Sequence, residues 1–270
     1  MDNVTRRTLM SAVAAGTTAA VAGCTGDLLD DDADSSDETD AAYEEWLAAD
    51  LLVDMDAGTV IYADLARITD TWPDEARSEL NLDSLTDSLG VSADDVDGML
   101  VFQTSGTGVV LTGSFDRDAV VTELAGEAET ETVGDYEVVN GAIAIGSDAV
   151  VMSSDYETLI DARNGDVDRI SDVDEEWNAA LSGVAGAAMS GVMFDDAESF
   201  ELMGITMDAD GTDISMEARA HYADAETAEA EKADAEAQAQ AEFVENGEIQ
   251  SIRVDGNVVV IEAVLSDFQF

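Results

Sequence analysis

Residues 99–114, MLVFQTSGTGVVLTGS, predict a β-hairpin and set the fold class. Met99 to Thr104 and Val109 to Ser114 are short runs rich in β-branched and other apolar residues, as is typical of strands. The glycine-containing stretch from Ser105 to Gly108 lies between them and favours a tight turn. Strands joined by so short a turn pair antiparallel, so the sequence predicts antiparallel sheet.

Helix and strand signals alternate after this hairpin. Asp116 can cap a helix over Ala119 to Leu124. Ser154 and Glu157 have the spacing of a capping box, which predicts a helix over Tyr156 to Arg163. Three strands are predicted between the two helices, at Tyr136 to Val139, Ala142 to Ile145 and Ala149 to Ser153, separated by turns at Asn140-Gly141 and Gly146-Ser147-Asp148.

The C-terminal part repeats this order. A hairpin is predicted over Met203 to Tyr222, with its turn at Asp208 to Gly211. The segment from Ala223 to Phe243 is rich in Ala, Glu and Gln and predicts a helix whose alanines allow close packing on a sheet. Two strands follow, Ile249 to Val254 and Val258 to Leu265. We therefore predict an α+β fold of two related strand-strand-helix-strand-strand units with mainly antiparallel sheets.

Ordered structure is also expected before the first hairpin. Tyr43 to Leu47 predicts a short amphipathic element, and Thr59 to Ala63 a strand. Apolar residues between Leu65 and Leu89 indicate short helices broken at Pro73, the only proline. Trp72 in this stretch is expected to lie in the core.

The order of elements resembles a family of secreted or membrane-attached prokaryotic proteins of unknown function. The motifs that carry the resemblance are Gly113-Ser114-Phe115-Asp116 before a helix, Tyr136-Glu137-Val138 before alternating strands, and Ala149-Val150-Val151-Met152-Ser153-Ser154 before a capped helix. The resemblance covers roughly Thr59 to Leu265. It implies a duplicated α+β domain and no particular reaction.

The first 24 residues resemble the export signal of a halophilic archaeal lipoprotein. Arg6 and Arg7 precede an apolar run, as in twin-arginine signals, and small residues lead into Cys24, as in a lipobox. The run from Thr8 to Ala22 is 15 residues long, whereas a membrane-spanning helix needs about 20. We therefore expect a cleaved signal peptide, with lipid on Cys24 as the membrane attachment.

Three regions follow from this interpretation: a signal peptide at 1–23, an acidic tether at 24–42 and a globular region at 43–270, with approximate halves 43–170 and 171–270. The tether is expected to be extended, because acidic residues recur between Thr25 and Asp40 and repel one another. Cys24 is the only cysteine, so no disulfide can form within the chain.

The charge balance is that of an extreme halophile's protein. The chain carries 62 Asp and Glu against 10 Lys and Arg, a net charge of −52, yet 46% of its residues are apolar. Such a composition predicts a globular protein with an acidic surface. The fold should need salt, because self-repulsion is strong at low ionic strength and screened at high ionic strength. Nucleic acid is excluded as a partner, since phosphate binding needs clustered Lys and Arg.

No catalytic signature is found in the sequence, and we assign no catalytic residue, metal site or cofactor. His221 is the only histidine, no Gly-x-Ser-x-Gly motif is present, and zinc is disfavoured. Asp208 to Asp213 resembles the start of a calcium loop but lacks the glutamate at the twelfth position, so a hairpin turn is favoured. Gly106-Thr107-Gly108 lacks the third glycine of a nucleotide-binding loop.

These observations favour a non-catalytic surface lipoprotein on the outer face of the cell membrane. Its expected partners are the membrane, through the lipid on Cys24, and an envelope protein or small apolar ligand. A salt-adapted hydrolase that uses paired carboxylates is the alternative. A solute-binding component of a transporter is a third candidate, although such proteins usually have parallel sheets.

Overall fold

One antiparallel sheet of twelve strands organises the molecule. The computed structural model describes residues 43–53, 55–72, 86, 89–103, 107–125, 129–195, 199–210, 213–243 and 247–265. The strands are β1 (Ala57–Asp64), β2 (Val96–Gln103), β3 (Thr107–Gly113), β4 (Thr130–Val133), β5 (Tyr136–Val139), β6 (Ile143–Ile145), β7 (Ala149–Met152), β8 (Met189–Asp195), β9 (Leu202–Asp210), β10 (Asp213–His221), β11 (Gly247–Asp255) and β12 (Val258–Leu265). Their order is β11-β12-β10-β9-β8-β1-β2-β3-β7-β6-β5-β4.

Helices cover the two faces of this sheet. The α-helices of the described residues are α1 (Leu65–Thr71), α2 (Arg117–Ala125), α3 (Tyr156–Asn164), α4 (Ile170–Val173), α5 (Glu175–Val184) and α6 (Ala225–Phe243). Short 3-10 turns occur at Glu44–Trp46, Ala49–Leu51 and Ala93–Asp95. The predicted α+β class with antiparallel pairing is confirmed.

The sheet consists of two topologically related arms that meet at β1 and β8. In each arm the first three strands lie side by side from the centre of the sheet outward, and a helix follows them. The chain then re-enters the sheet at its outer edge and continues inward, so that the last strand of the arm pairs with the third strand of that arm. The arms are β1 to β7 with α2, and β8 to β12 with α6. The second arm contains the predicted strand-strand-helix-strand-strand order, whereas four strands follow the helix in the first. The predicted halves 43–170 and 171–270 stay a prediction.

The local predictions from sequence succeed where turns and hairpins determine structure. β2 pairs with β3 as expected, and β9 with β10. Asn140 and Gly141 form a turn with φ angles of 55° and 62°. β4 was not predicted, because Thr130–Val133 is a polar edge strand whose side chains are mostly exposed. The predicted helices between Pro73 and Leu85 lie outside the described residues.

One of two predicted helix caps is wrong. The Asp116 carboxylate accepts a hydrogen bond from the Ala119 backbone N–H at 3.1 Å, as expected for a cap. The helix after Ser154 is present, but Asp155 is its N-cap and makes no side-chain capping hydrogen bond. Ser154 lies one residue before the N-cap, and its hydroxyl donates to the Asp155 carboxylate at 3.0 Å.

Large aromatic side chains fill the core on one face of the sheet, which we call the aromatic face. Residues 43–52, α3 and α5 pack there. The aromatic residues of this core are Tyr43, Trp46, Tyr62, Phe102, Tyr136, Tyr156, Trp177 and Phe194. Gly204 lets α5 approach closely, because a Cβ atom at this position would lie 2.6 Å from Cγ1 of Val184.

The opposite face carries most of the methionines, and we call it the methionine face. Every methionine of the described residues except Met55 lies on it: Met99, Met152, Met189, Met193, Met203, Met207 and Met216. Helix α2 packs over β5 and β6, and α6 over β11 and β12. The predicted role of the α6 alanines is seen at Ala228 and Ala239, which are fully buried against the sheet. Trp72, at the end of α1, is 5% exposed and belongs to this core as expected.

Candidate functional site

A continuous apolar row crosses the methionine face and is the strongest candidate for a binding surface. Strand register places one residue from each of nine adjacent strands directly opposite the next. We call these residues the central row: Met152, Val109, Val101, Ile61, Gly191, Ile205, Ala218, Ile261 and Ile252. From Met152 to Ile205 each member keeps part of its surface exposed. These members are partly buried, and Met152, Val109, Ile61 and Ile205 pack against the core of the methionine face.

A small cavity lies in the middle of the central row. Its volume is about 30 Å³. It is lined by Thr59, Ile61, Met189, Ser190, Gly191, Met193, Ile205 and Met207. A Cβ atom at Gly191 would lie 3.0 Å from the Val60 carbonyl oxygen, so a side chain fits poorly there. The cavity is therefore a consequence of a glycine between long apolar side chains.

Arg163 forms the densest polar cluster of the described residues, on the aromatic side of the molecule. Its guanidinium donates to Glu45 at 3.1 Å, to the Tyr136 hydroxyl at 2.7 Å and to Asp148 at 2.6 Å. It also lies over the ring of Trp46, 4.8 Å from the centroid. Each guanidinium nitrogen is thus hydrogen-bonded within the protein, and we interpret the cluster as structural.

The pKa values around Arg163 follow from these contacts. Burial opposes the charge of Arg163, but its hydrogen bonds to Asp148 and Tyr136 outweigh burial and raise its pKa. The hydrogen bond from Arg163 lowers the pKa of Asp148. Burial raises the pKa of Tyr136 despite the nearby guanidinium. All three groups thus keep one charge state over the physiological range.

His221 is a half-buried residue of β10. Burial, followed by the charge of Arg219, lowers its pKa, which favours the neutral imidazole. Its Nε2 atom is buried and has no hydrogen-bond partner among the described residues. The described surroundings provide no hydroxyl or carboxylate bonded to this nitrogen, as a catalytic triad would require.

The calcium-like motif forms a hairpin, as the sequence favours. Asp210 pairs with Asp213 across the β9–β10 hairpin. The Asp208 carboxylate binds Arg67 at 2.7 Å and accepts a hydrogen bond from the Ala188 backbone N–H at 3.0 Å. No group of three or more His, Cys, Asp or Glu residues in the described part of the chain is arranged to hold a metal ion.

Two other polar features of the described residues are an open groove and a pair of carboxyl groups. An open groove of about 540 Å³ lies between α6 and the edge strand β11. It is lined by Lys232, Glu236, Gln240, Gly247, Glu248, Ile249, Gln250, Ser251 and Ile252. Glu176 and Glu201 form a carboxyl pair in which burial and then the second carboxylate raise the pKa of Glu176. Both carboxyl groups are exposed to solvent, unlike a catalytic pair held in a cleft.

The residues predicted from the export signal, Arg6, Arg7 and Cys24, lie outside the described residues. Within the described residues, no helix is both long enough and apolar enough to cross a bilayer. The central row is not apparent from the sequence alone. Alternation along each strand indicated that an apolar face exists, but only the register across strands brings these residues into one row.

The comparisons with known proteins show a remote similarity in fold. No family model matches the chain, and no curated protein matches it. Crystal form I of TP0453 has a TM-score of 0.49 at 10% identity, over 86% of this chain and 94% of that chain. Crystal form III of TP0453 gives 0.48 at 9% identity, over 83% and 93%. Crystal form IV gives 0.42 at 11% identity, over 78% and 89%.

Proposed function

We propose that this protein is a membrane-anchored extracellular lipoprotein that binds a partner protein of the cell envelope and is not a catalyst. The sequence of the leader, with Arg6, Arg7 and Cys24, supports export and lipid attachment. The central row, which is partly exposed from Met152 to Ile205, supports binding and is the observation that carries the proposal.

The size of the cavity favours a macromolecular partner over a small apolar ligand. Small-molecule pockets usually measure about 300–1,000 Å³, whereas the cavity in the central row has about 30 Å³. An extended apolar band with a shallow notch suits a protein surface that presents one anchoring side chain.

The hydrolase and the solute-binding component stay predictions. The exposed position of Glu176 and Glu201 gives the hydrolase no enclosed carboxylate pair in the described residues. The antiparallel sheet differs from the parallel sheets usual in solute-binding proteins.

Quantitative mass spectrometry of protein captured from native membranes in high salt tests the proposal. Cys24→Ser should move the protein from the membrane to the soluble fraction, whereas Thr25→Ser should leave it in the membrane. The double variant Ile61→Thr/Ile205→Thr should stay in the membrane but lose its stoichiometric partner. Val173→Thr is the matched control for that variant, because Val173 is also apolar, is 52% exposed and lies outside the central row.

Lipid anchoring and partner binding can each be contradicted by a separate result. A Cys24→Ser protein that stays in the membrane pellet would overturn lipid anchoring. A partner retained equally by Ile61→Thr/Ile205→Thr and by Val173→Thr would overturn the central row as its binding surface.

A further inference from the structure

The edge strand β11 is long and borders open space. It pairs with β12 on one side and with no other strand of the described residues. The open groove of about 540 Å³ runs along it from Gly247 to Ile252. The edge strand at the other end of the sheet, β4, has four residues, whereas β11 has nine. An edge strand of that length carries a row of unpaired backbone N–H and C=O groups to which another strand can bind.

The face on which each β11 side chain lies follows from its partner on β12. Positions opposite odd-numbered residues of β12 lie on the methionine face, as Ile261 does, and are Gly247, Ile249, Ile252 and Val254. Positions opposite even-numbered residues lie on the aromatic face and are Glu248, Ser251 and Arg253. The register shift between Ile249 and Ser251 explains why Ile249 and Ile252 share a face although they are three residues apart.

This arrangement makes β11 complementary to itself. In an antiparallel pair of two β11 strands centred between Gln250 and Ser251, Ile249 lies opposite Ile252 of the second copy. Glu248 then lies opposite Arg253 of the second copy, and two-fold symmetry repeats both pairs. Residues directly opposite each other in an antiparallel pair share a face, and both of these pairs meet that condition. The two bulges lie opposite each other, so they keep the register.

Other registers of the same pairing fit less well. A shift by one residue in either direction places Ile249 opposite Arg253 or Ser251, which lie on the other face of the sheet. A pairing centred on Arg253 brings two arginines directly opposite each other, which is destabilising. The register centred between Gln250 and Ser251 therefore satisfies both the faces and the charges.

We propose that two copies of the chain pair through β11 into one continuous antiparallel sheet, with reciprocal ion pairs between Glu248 and Arg253. Both side chains are exposed. The contacts of Arg253 with Glu217 and Glu262 use its Nη2 atom, and 45% of its side chain stays exposed. The net charge of −52 opposes association at low ionic strength, whereas molar salt shortens the Debye length to about 3 Å and screens partly buried contact pairs much less.

The competing explanation is that the bulge and the charged side chains of β11 only protect this edge from pairing. It predicts that the chain is a monomer in molar salt at every concentration. Binding of a strand from a different protein at the same edge also predicts that the purified chain is a monomer.

Sedimentation equilibrium of the full chain in molar salt separates these explanations. Every sample carries Cys24→Ser, which removes the expected lipid site and the only thiol. We expect the parent to form dimers and Glu248→Arg to weaken them at least about 10-fold, because arginine would then lie opposite arginine twice. Glu123→Arg is the matched control, since Glu123 is exposed on α2 and its substitution changes the net charge equally. It should form dimers as the parent does.

A mixture of two variants tests the register. Arg253→Glu alone should also weaken the dimer, because glutamate would lie opposite glutamate. Mixed with Glu248→Arg, it should form heterodimers at close to the parent's affinity, because every arginine then meets a glutamate. Near-ultraviolet circular dichroism verifies that both variants fold. If Arg253→Glu does not, Arg253→Gln replaces it, since that heterodimer contains no pair of like charges.

A parent chain that is a monomer at every concentration overturns the proposal. Dimers that Glu248→Arg does not weaken overturn β11 as the interface, and folded variants that fail to associate when mixed overturn the pairing of Glu248 with Arg253. The inference does not depend on the central row. Capture of the envelope partner is measured separately with Ile61→Thr/Ile205→Thr, which leaves β11 unaltered, so failure of one proposal is distinguishable from failure of the other.

Discussion

Arg163 joins parts of the chain that are far apart in sequence. Its side chain, 23% exposed, connects α3 to Glu45, to Tyr136 on β5 and to the turn at Asp148. Hydrogen bonds to charged partners contribute more than neutral ones, and the contact with the Trp46 ring adds to them. This residue therefore holds residues 43–52 against the sheet.

Substitution of this residue should measurably destabilise the fold. We expect Arg163→Gln to lower the free energy of unfolding by about 1–3 kcal/mol, measured by urea unfolding at constant high salt. Arg117→Gln is the control, because the Arg117 side chain is more exposed than that of Arg163 and its carboxylate partner Asp118, 3.6 Å away, is 90% exposed. Its effect should stay within about 0.5 kcal/mol.

The contribution of Arg163 should depend on pH with a definite sign. The pKa of Asp148 is lowered in the folded state, so its contribution is present above the unfolded pKa of about 3.9 and is lost as pH falls through the folded value. The difference in unfolding free energy between wild type and Arg163→Gln should thus shrink below about pH 4. A constant difference down to strongly acidic pH would contradict this assignment.

The sequence could not have shown this cluster. It placed Arg163 near the end of a helix, and this is correct. Glu45 and Asp148 are two among 62 acidic residues, and no local pattern distinguishes the acids that meet an arginine from those that face solvent. The same limit applies to the central row, whose members are ordinary strand residues until the register is known.

At the level of elements, the contact between α5 and β9 depends on the absence of a side chain at Gly204. Ala180, Leu181 and Val184 of α5 are all buried in the aromatic core. Predictions of elements from sequence succeeded where turn residues fix the pairing, as at Asn140 and Gly141. They failed at the predicted capping box, because the helix begins one residue later than the box requires, so that Asp155 and not Ser154 is the N-cap residue.

Filling the space at Gly204 should push α5 away from the sheet. We expect Gly204→Ala to cost about 1–3 kcal/mol, because the new methyl group would overlap with Val184. Val184→Ala removes the overlapping methyl group, so the double variant should be less destabilised than the sum of the two single variants. Urea unfolding of all four proteins measures this coupling, and strictly additive effects would refute the overlap.

At the scale of the whole molecule, charge and packing oppose each other. A net charge of −52 repels across the whole surface, while buried apolar side chains on both faces of one sheet hold the chain together. The Debye length is about 10 Å at 0.1 M salt and about 3 Å at 1 M. Salt concentration therefore determines how much of this repulsion the core must overcome.

We predict that dialysis into dilute buffer unfolds the protein and that a return to molar salt refolds it. The near-ultraviolet circular dichroism of the buried tryptophans reports the transition. Sucrose at matched osmolality is the control, because it stabilises compact states without screening charge and should fail to replace salt. Native circular dichroism retained in dilute buffer would show that packing alone suffices.

The meeting of the two arms at β1 and β8 has a consequence for the order of folding. Most strands pair with a neighbour in sequence or across one helix, but Ile61 pairs with Gly191 after a long intervening stretch of chain. Contacts so distant in sequence form slowly, because the loop between them must close first. We therefore expect each arm to form early and the centre of the sheet to close last. Until it closes, the chain exposes two long, unpaired central strand edges, which is the interval in which it is most prone to aggregate.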